Sequence, residues 1–240
     1  MRRLLLVSNS TLHGSGYLDH CEAALRRHFE SAQGRILFVP YALHDRDAYA
    51  AKVRARFVAM GIAVDSLHES KSIAAARAAV EHAQGVFIGG GNTFSLLTAL
   101  YEFDVLSAIR ARVASGMPYA GSSAGSNVAC ITIKTTNDMP IVHPPSFDAL
   151  ALVPFNINAH YQDPPPDSTH MGETREQRIR EFHEMNEPPV VGLREGSLLE
   201  IDGDHVTLRG STCARVFQKG RAPEEFAPGA SLDFLLAHRP

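Results

Sequence analysis

Glycines at 121 and 125 flank a serine in the run Gly121-Ser122-Ser123-Ala124-Gly125, which fits the pattern G-x-S-x-G. The chemistry that this pattern serves is nucleophilic. A sharp strand-to-helix turn holds the middle serine in a strained, exposed position. Small flanking residues let neighbouring backbones close around it, and the amide of the next residue, here Ala124, points at a developing oxyanion. An apolar stretch precedes the run, and residues 124–130 can open a helix. A small-residue turn needed only for tight packing gives the same pattern. A nucleophilic serine needs a base, and the base needs an orienting acid. His160 is the candidate base. It ends the segment Asn156-Ile157-Asn158-Ala159-His160, as if at the end of a strand, and a structural histidine is the alternative reading. Two acids compete for the orienting role. Asp138 stands in Thr135-Thr136-Asn137-Asp138-Met139-Pro140, and Glu195 in Gly192-Leu193-Arg194-Glu195-Gly196. Both sit in predicted loops, and spacing does not choose between them.

A second glycine-rich turn, Gly89-Gly90-Gly91-Asn92-Thr93-Phe94, follows a predicted buried strand. Backbone amides in such a turn can cradle a phosphate. Those of Gly90 and Gly91 can equally supply a further oxyanion donor. The turn lacks the G-x-G-x-x-G spacing and a P-loop lysine, which weighs against a nucleotide.

The elements that must position these groups follow a βαβα rhythm. Residues 4–7, 36–39, 62–67, 85–88 and 118–121 read as strands. Helical spacing covers 15–30, 45–60, 72–83 and 93–115. Such alternation predicts an α/β fold with a mostly parallel sheet and helices on both faces. Sites in such sheets lie beyond the carboxyl ends of the strands, where both glycine turns fall. Residues 134–173 are rich in Pro, Asn, Asp and His, and a loop that long in a compact domain is usually functional. Thr174 and Gln177 then fit a capping box for a helix over 174–184. Strands are predicted at 190–193, 197–201 and 205–208, the last two joined across Asp202-Gly203-Asp204 as a C-terminal β-hairpin. No linker divides the chain, so residues 1–240 read as one catalytic domain.

Composition narrows the function classes. The 240 residues carry a net charge of −3 and 45% apolar side chains, with no basic stripe for nucleic acid. No apolar run approaches the ~20 residues that span a bilayer. Ser8-Asn9-Ser10 interrupts the short N-terminal apolar run, so a signal peptide is not expected and the cytoplasm is the expected compartment. Cys21, Cys130 and Cys213 are odd in number and far apart, which predicts reduced thiols and neither disulfide nor zinc site. No metal or other cofactor is expected. The expected partner is a small peptide substrate, with neither nucleic acid nor membrane, and a homodimer is left open.

Several segments together resemble the peptidase E family of α-aspartyl dipeptidases. They are Ser8-Asn9-Ser10-Thr11, the turn from Gly89 to Phe94, Ser123-Ala124-Gly125, the run Thr135-Thr136-Asn137-Asp138-Met139-Pro140-Ile141-Val142, and Gly172-Glu173-Thr174-Arg175-Glu176-Gln177-Arg178-Ile179-Arg180. The resemblance runs in order over residues 4–218. It implies a fold like that of the class I glutamine amidotransferases, with serine in place of their cysteine. It implies a serine dipeptidase that cleaves Asp-Xaa through an acyl-enzyme on Ser123, with His160 as general base. The amidotransferase-like order of nucleophile, histidine and glutamate favours Glu195 over Asp138. The oxyanion would rest on the amides of Gly90, Gly91 and Ala124. An N-terminal aspartate calls for an arginine fork, and Arg175, with Arg178 next, is the expected clamp. Ser122 stands where relatives often carry a bulky aromatic residue, which would widen the pocket. Two other readings remain: a cyanophycinase-like peptidase acting on β-linked aspartyl-arginine, and a non-catalytic protein holding a nucleotide at Gly89–Gly91.

Overall fold

Alternation of buried side chains along the first strand sets the architecture. In β1, Arg3–Val7, residues Leu4 and Leu6 join one apolar cluster while Leu5 and Val7 join another. Successive side chains of a strand point to opposite faces, so a strand apolar on both needs cover on both. The computed structural model describes residues 1–164, 167, 169 and 171–237, and it provides that cover. On one face lie α1, Glu22–His28, and α2, Arg46–Ala59, whose Leu25, Tyr49, Val53 and Phe57 pack with Leu5 and Val7. On the other lie α3, Ile73–His82, α4, Thr93–Glu102, α5, Leu106–Ala114, and α6, Ala124–Ala129.

The remaining strands of the first half are β2, Arg35–Val39, β3, Ala63–Ser66, β4, Val86–Ile88, and β5, Tyr119–Ser122. They run parallel with β1 in the order β3-β2-β4-β5-β1. The sheet is extended to seven strands by β8, Ser197–Asp202, and β9, His205–Gly210, both antiparallel to their neighbours. These two strands form the expected hairpin. Its two-residue turn has positive φ at Gly203 and not at Asp204, as in a type II′ turn.

A second sheet was not expected from the sequence. It has the order β11-β10-β7-β6, built from β6, Asn156–Ala159, β7, Val190–Leu193, β10, Ala214–Phe217, and β11, Glu224–Phe226. Val191, Leu193 and Val216 face the same apolar cluster as Leu4 and Leu6, so the two sheets share a core. Its other face meets Ile179 and Phe182 of α7, Arg175–Met185. The capping box at Thr174 and Gln177 forms in both directions. The helix expected over 15–30 shortens to α1 because Leu18 adopts a left-handed φ of 60° and the Asp19 carboxylate accepts from the Gly16 N–H. Within the long 134–173 stretch, positions 165, 166, 168 and 170 lie outside the described residues. Among the described residues, no helix is long and apolar enough to cross a membrane.

Candidate active site

The turn between β5 and α6 carries the first group. Ser123 has φ 52° and ψ −109°, a region that non-glycine residues rarely occupy. What holds it there is backbone contact. The Ser123 N–H donates to Val7 O at 3.0 Å, and the Ser126 hydroxyl lies 2.7 Å from Val7 O and 2.9 Å from Gly121 O. A Cβ on Gly121 would stand 2.4 Å from Gly125 O, and one on Gly125 would stand 2.1 Å from Ile88 O. The turn therefore closes only with hydrogen at both positions.

The strain aims Ser123 Oγ at His160, with 2.9 Å between Oγ and Nε2. His160 follows β6 directly and itself has a φ of 53°. Its N–H donates to Ser8 Oγ at 3.1 Å, and the Ser8 hydroxyl donates to Leu193 O at 2.7 Å. Glu195, in the turn between β7 and β8, places Oε1 2.7 Å from His160 Nδ1. That turn is fixed on both sides. Asn9 Oδ1 accepts from the Gly196 N–H at 2.9 Å. Arg194, lying over the Tyr161 ring, donates to Asp163 and Glu225.

Of the two acids, Glu195 reaches the histidine and Asp138 does not. Asp138 Oδ2 accepts from the Thr93 N–H at 2.7 Å and from its hydroxyl at 2.5 Å, which secures the start of α4. Asp138 nevertheless lines the cleft, of about 350 Å³, that Ser123 and His160 open into. Its Oδ1 takes part in no hydrogen bond among the described residues.

Gly90 and Gly91 line the same cleft, and a Cβ on Gly90 would stand 3.1 Å from Ser123 Cβ. The turn weighed as a nucleotide cradle thus borders the serine, with the Tyr49 hydroxyl lying against the backbone of Gly89 and Gly90. Ala124 heads α6, where first-turn amides lack helical partners. Ser122 is fully buried in β5 and does not border the cleft, so no widening of the pocket follows from it.

The two arginines part company. Arg178 pairs with Glu173 at 3.3 Å and faces a separate depression beside Lys134 and Asn186. Arg175, at the first position of α7, donates to Asn137 Oδ1 at 2.6 Å and makes no ion pair among the described residues. Burial, with Arg178 close by, lowers its guanidinium below the ordinary value, while Asp138 works in the opposite direction. Asn137 also donates to Ala159 O at 2.7 Å, so one side chain joins Arg175 to the strand that carries His160.

Residues that the sequence reading left without a role are Ser8, Asn9, Asn137 and Arg194. Ser8 and Asn9 gave a usable signal, since two polar residues directly after an apolar strand lie at its carboxyl end. Cys21 and Cys130 are buried free thiols that burial pushes up to about 12, and Cys213 is exposed and free. Among the described residues, no group of three or more His, Cys, Asp or Glu could hold a metal.

A strained serine bonded through histidine to a carboxylate, beside a cleft at the strand ends of an α/β sheet, is the equipment of a serine hydrolase. Comparison with known proteins narrows the class. The family model described as Peptidase family S51 matches residues 4–209, and the chain belongs to that family. It is 52% identical over 233 residues to Peptidase E of Streptomyces coelicolor, covering 97% of this chain and 94% of that one. It is 50% identical over 237 residues to a Drosophila melanogaster protein named "Probable alpha-aspartyl dipeptidase", covering 98% of each. The fold is shared with the crystal structure of a peptidase from an acI-B1 Actinobacterium, at a TM-score of 0.73 and 16% identity over 97% of this chain and 96% of that one.

Proposed function

We propose that this protein hydrolyses dipeptides with an N-terminal aspartate, with Ser123 as nucleophile. The observation that carries the reading is the continuous chain Ser123 Oγ–His160 Nε2 and His160 Nδ1–Glu195 Oε1, at 2.9 and 2.7 Å. The name of the Drosophila relative supports the substrate class. His160 takes the Ser123 proton as Oγ attacks the aspartyl carbonyl, and Glu195 stabilises the imidazolium so formed. The Ala124 N–H and the Gly90–Gly91 turn receive the oxyanion. His160 then passes its proton to the leaving amine, and the C–N bond breaks. Water, deprotonated by the same histidine, attacks the acyl-enzyme and releases aspartate. Asp138, which lines the cleft, receives the substrate α-ammonium. Arg175 receives the aspartyl side chain, aided by the positive end of α7. Three unpaired thiols suit a reducing compartment, and we place the activity in the cytoplasm. The test is turnover of Asp-Leu beside Asn-Leu, Glu-Leu and β-Asp-Arg by the wild-type protein and by Ser123→Ala. Ser123-dependent cleavage of Asp-Leu alone is expected. Preference for β-Asp-Arg would replace the reading with the cyanophycinase-like one.

A further inference from the structure

The cleft that Asp138 lines also holds a cation that the mechanism above does not use. Tyr49 and Lys52 stand three residues apart on α2, and such a spacing puts both side chains on one helix face. Both line the cleft that contains Ser123 and His160, as does Tyr17. Lys52 Nζ lies 4.4 Å from the centre of the Tyr17 ring, within cation–π range. The Tyr17 and Tyr49 hydroxyls are 3.4 Å apart, and the Tyr49 hydroxyl lies against the glycine turn beside Ser123. An aromatic wall therefore runs from the nucleophile to an ammonium that has no carboxylate partner among the described residues.

The size of the cleft says what that ammonium can meet. A volume of about 350 Å³ is about 9 Å across if compact. Two extended residues span at most ~7 Å. A dipeptide with its scissile carbonyl at Ser123 therefore spans most of the cleft. Its ammonium and aspartyl side chain both belong to the acyl half, near Asp138 and Arg175. Its terminal carboxylate belongs to the leaving half, and Lys52 is the cation left over to receive it. We propose that Lys52, pinned against Tyr17, binds the C-terminal carboxylate of the leaving residue and so restricts cleavage to dipeptides. This rests on the aspartyl dipeptidase reading above. The opposed charges of Asp138 and Lys52 then fix the direction in which the substrate lies.

The test compares kcat/KM for Asp-Leu and for Asp-Leu amide, whose terminal charge is removed. Wild-type protein should favour the free acid by roughly 10- to 100-fold, the range of one charge-assisted hydrogen bond. In Lys52→Met, which keeps an apolar stem over Tyr17, the ratio should collapse to about one. Lys52→Arg should retain it, and Lys52→Glu should reverse it. Aspartyl 4-nitroanilide, which has the acyl half and no carboxylate, keeps the two readings apart. If Ser123-dependent cleavage of the anilide persists while the acid-to-amide ratio is the same in Lys52→Met as in wild type, the role of Lys52 is overturned and the peptidase reading stands. Loss of the Asp-over-Asn preference in Lys52→Met, with the acid-to-amide ratio intact, also overturns it, by making Lys52 the side-chain clamp. If wild type cleaves neither the anilide nor Asp-Leu, the function itself is wrong, and the proposal for Lys52 falls with it.

Discussion

Replacing Glu195 by glutamine tests the whole arrangement, because it removes one charge and keeps the shape. A histidine that acts as a base starts neutral, and the bond between His160 Nδ1 and Glu195 Oε1 is 2.7 Å. In the transition state the ring is cationic and its charge centre lies about 4 Å from that of the carboxylate. At that distance the attraction is about 1 kcal/mol in water and about 4 kcal/mol at an effective dielectric constant near 20. The side chains of His160 and Glu195 are 39% and 45% exposed, which places the pair between these limits. About 2–3 kcal/mol is then lost, so Glu195→Gln should lower kcat for Asp-Leu by roughly 30- to 200-fold. That is milder than the ~10⁴-fold cost of neutralising a buried triad aspartate. Asp138→Asn should behave differently. It weakens a carboxylate that secures the start of α4, which costs about 1 kcal/mol of stability, and it raises KM more than it lowers kcat. The assay is steady-state kinetics on both variants beside their thermal melts. A folded Asp138→Asn protein with kcat tenfold below that of Glu195→Gln would refute the assignment of the orienting acid.

Four further outcomes are expected. Ser123→Ala should lose roughly 10⁴-fold or more in kcat. Ser123→Gly, equally inactive, should be about 1 kcal/mol more stable than Ser123→Ala, since glycine relieves the positive φ and repays part of the gain in chain entropy; equal urea midpoints would show that the turn stores no strain. Arg175→Met should reduce the Asp-Leu over Asn-Leu preference by roughly 10²-fold without preventing acylation by a small reactive ester, and an unchanged ratio would move the clamp elsewhere. His28 is buried, donates from Nε2 to Tyr119 O, and burial lowers its pKa to about 4 from 6.5. The unfolded chain therefore binds the proton first, so stability from this group is complete above pH ~6.5 and falls as pH drops toward ~4. The loss is about 2 kcal/mol at pH 5 and about 3 kcal/mol at pH 4. His28→Gln, which keeps a donor, should flatten that part of the denaturation profile, and an unaltered slope would assign the acid sensitivity to other groups.

What could be read from the sequence was whatever local chemistry decides. The apolar strands, the two glycine turns and the Thr174–Gln177 capping box depend on neighbours a few residues away, and they stand where the pattern puts them. The start of α1 was misjudged because helical spacing says nothing of the left-handed Leu18. The second sheet was missed for a related reason. Glu224–Phe226 is short and carries two charges in three residues, and it becomes a strand only through pairing with Ala214–Phe217. Choosing between Asp138 and Glu195 required distances across the fold, since both stand in loops beside polar neighbours. Arg175 and Arg178 share one helix turn, and only contacts made in the fold separate them, with Asn137 for Arg175 and with Glu173 for Arg178. Lys52 gave no signal at all, because a lysine on an amphipathic helix is ordinarily a solvated charge.

The carbonyl of Val7 and the side chains of Ser8 and Asn9 touch, in turn, the serine turn, the histidine backbone and the glutamate turn. The segment that aligns the three groups therefore stands far ahead of all of them along the chain. Leu4 pairs with Tyr119 on one side and with Ile201 on the other. β1, apolar from Leu4 to Val7, has no pairing partner until β5 is made, and contacts this distant in sequence make folding slow. The delay has a protective side. A nascent chain that has not yet delivered Glu195 and inserted β8 beside β1 lacks the carboxylate that supports His160, so hydrolysis by a half-made molecule is weakened. A fragment lacking residues 1–9 should lose alignment of all three groups at once, although it retains every one of them.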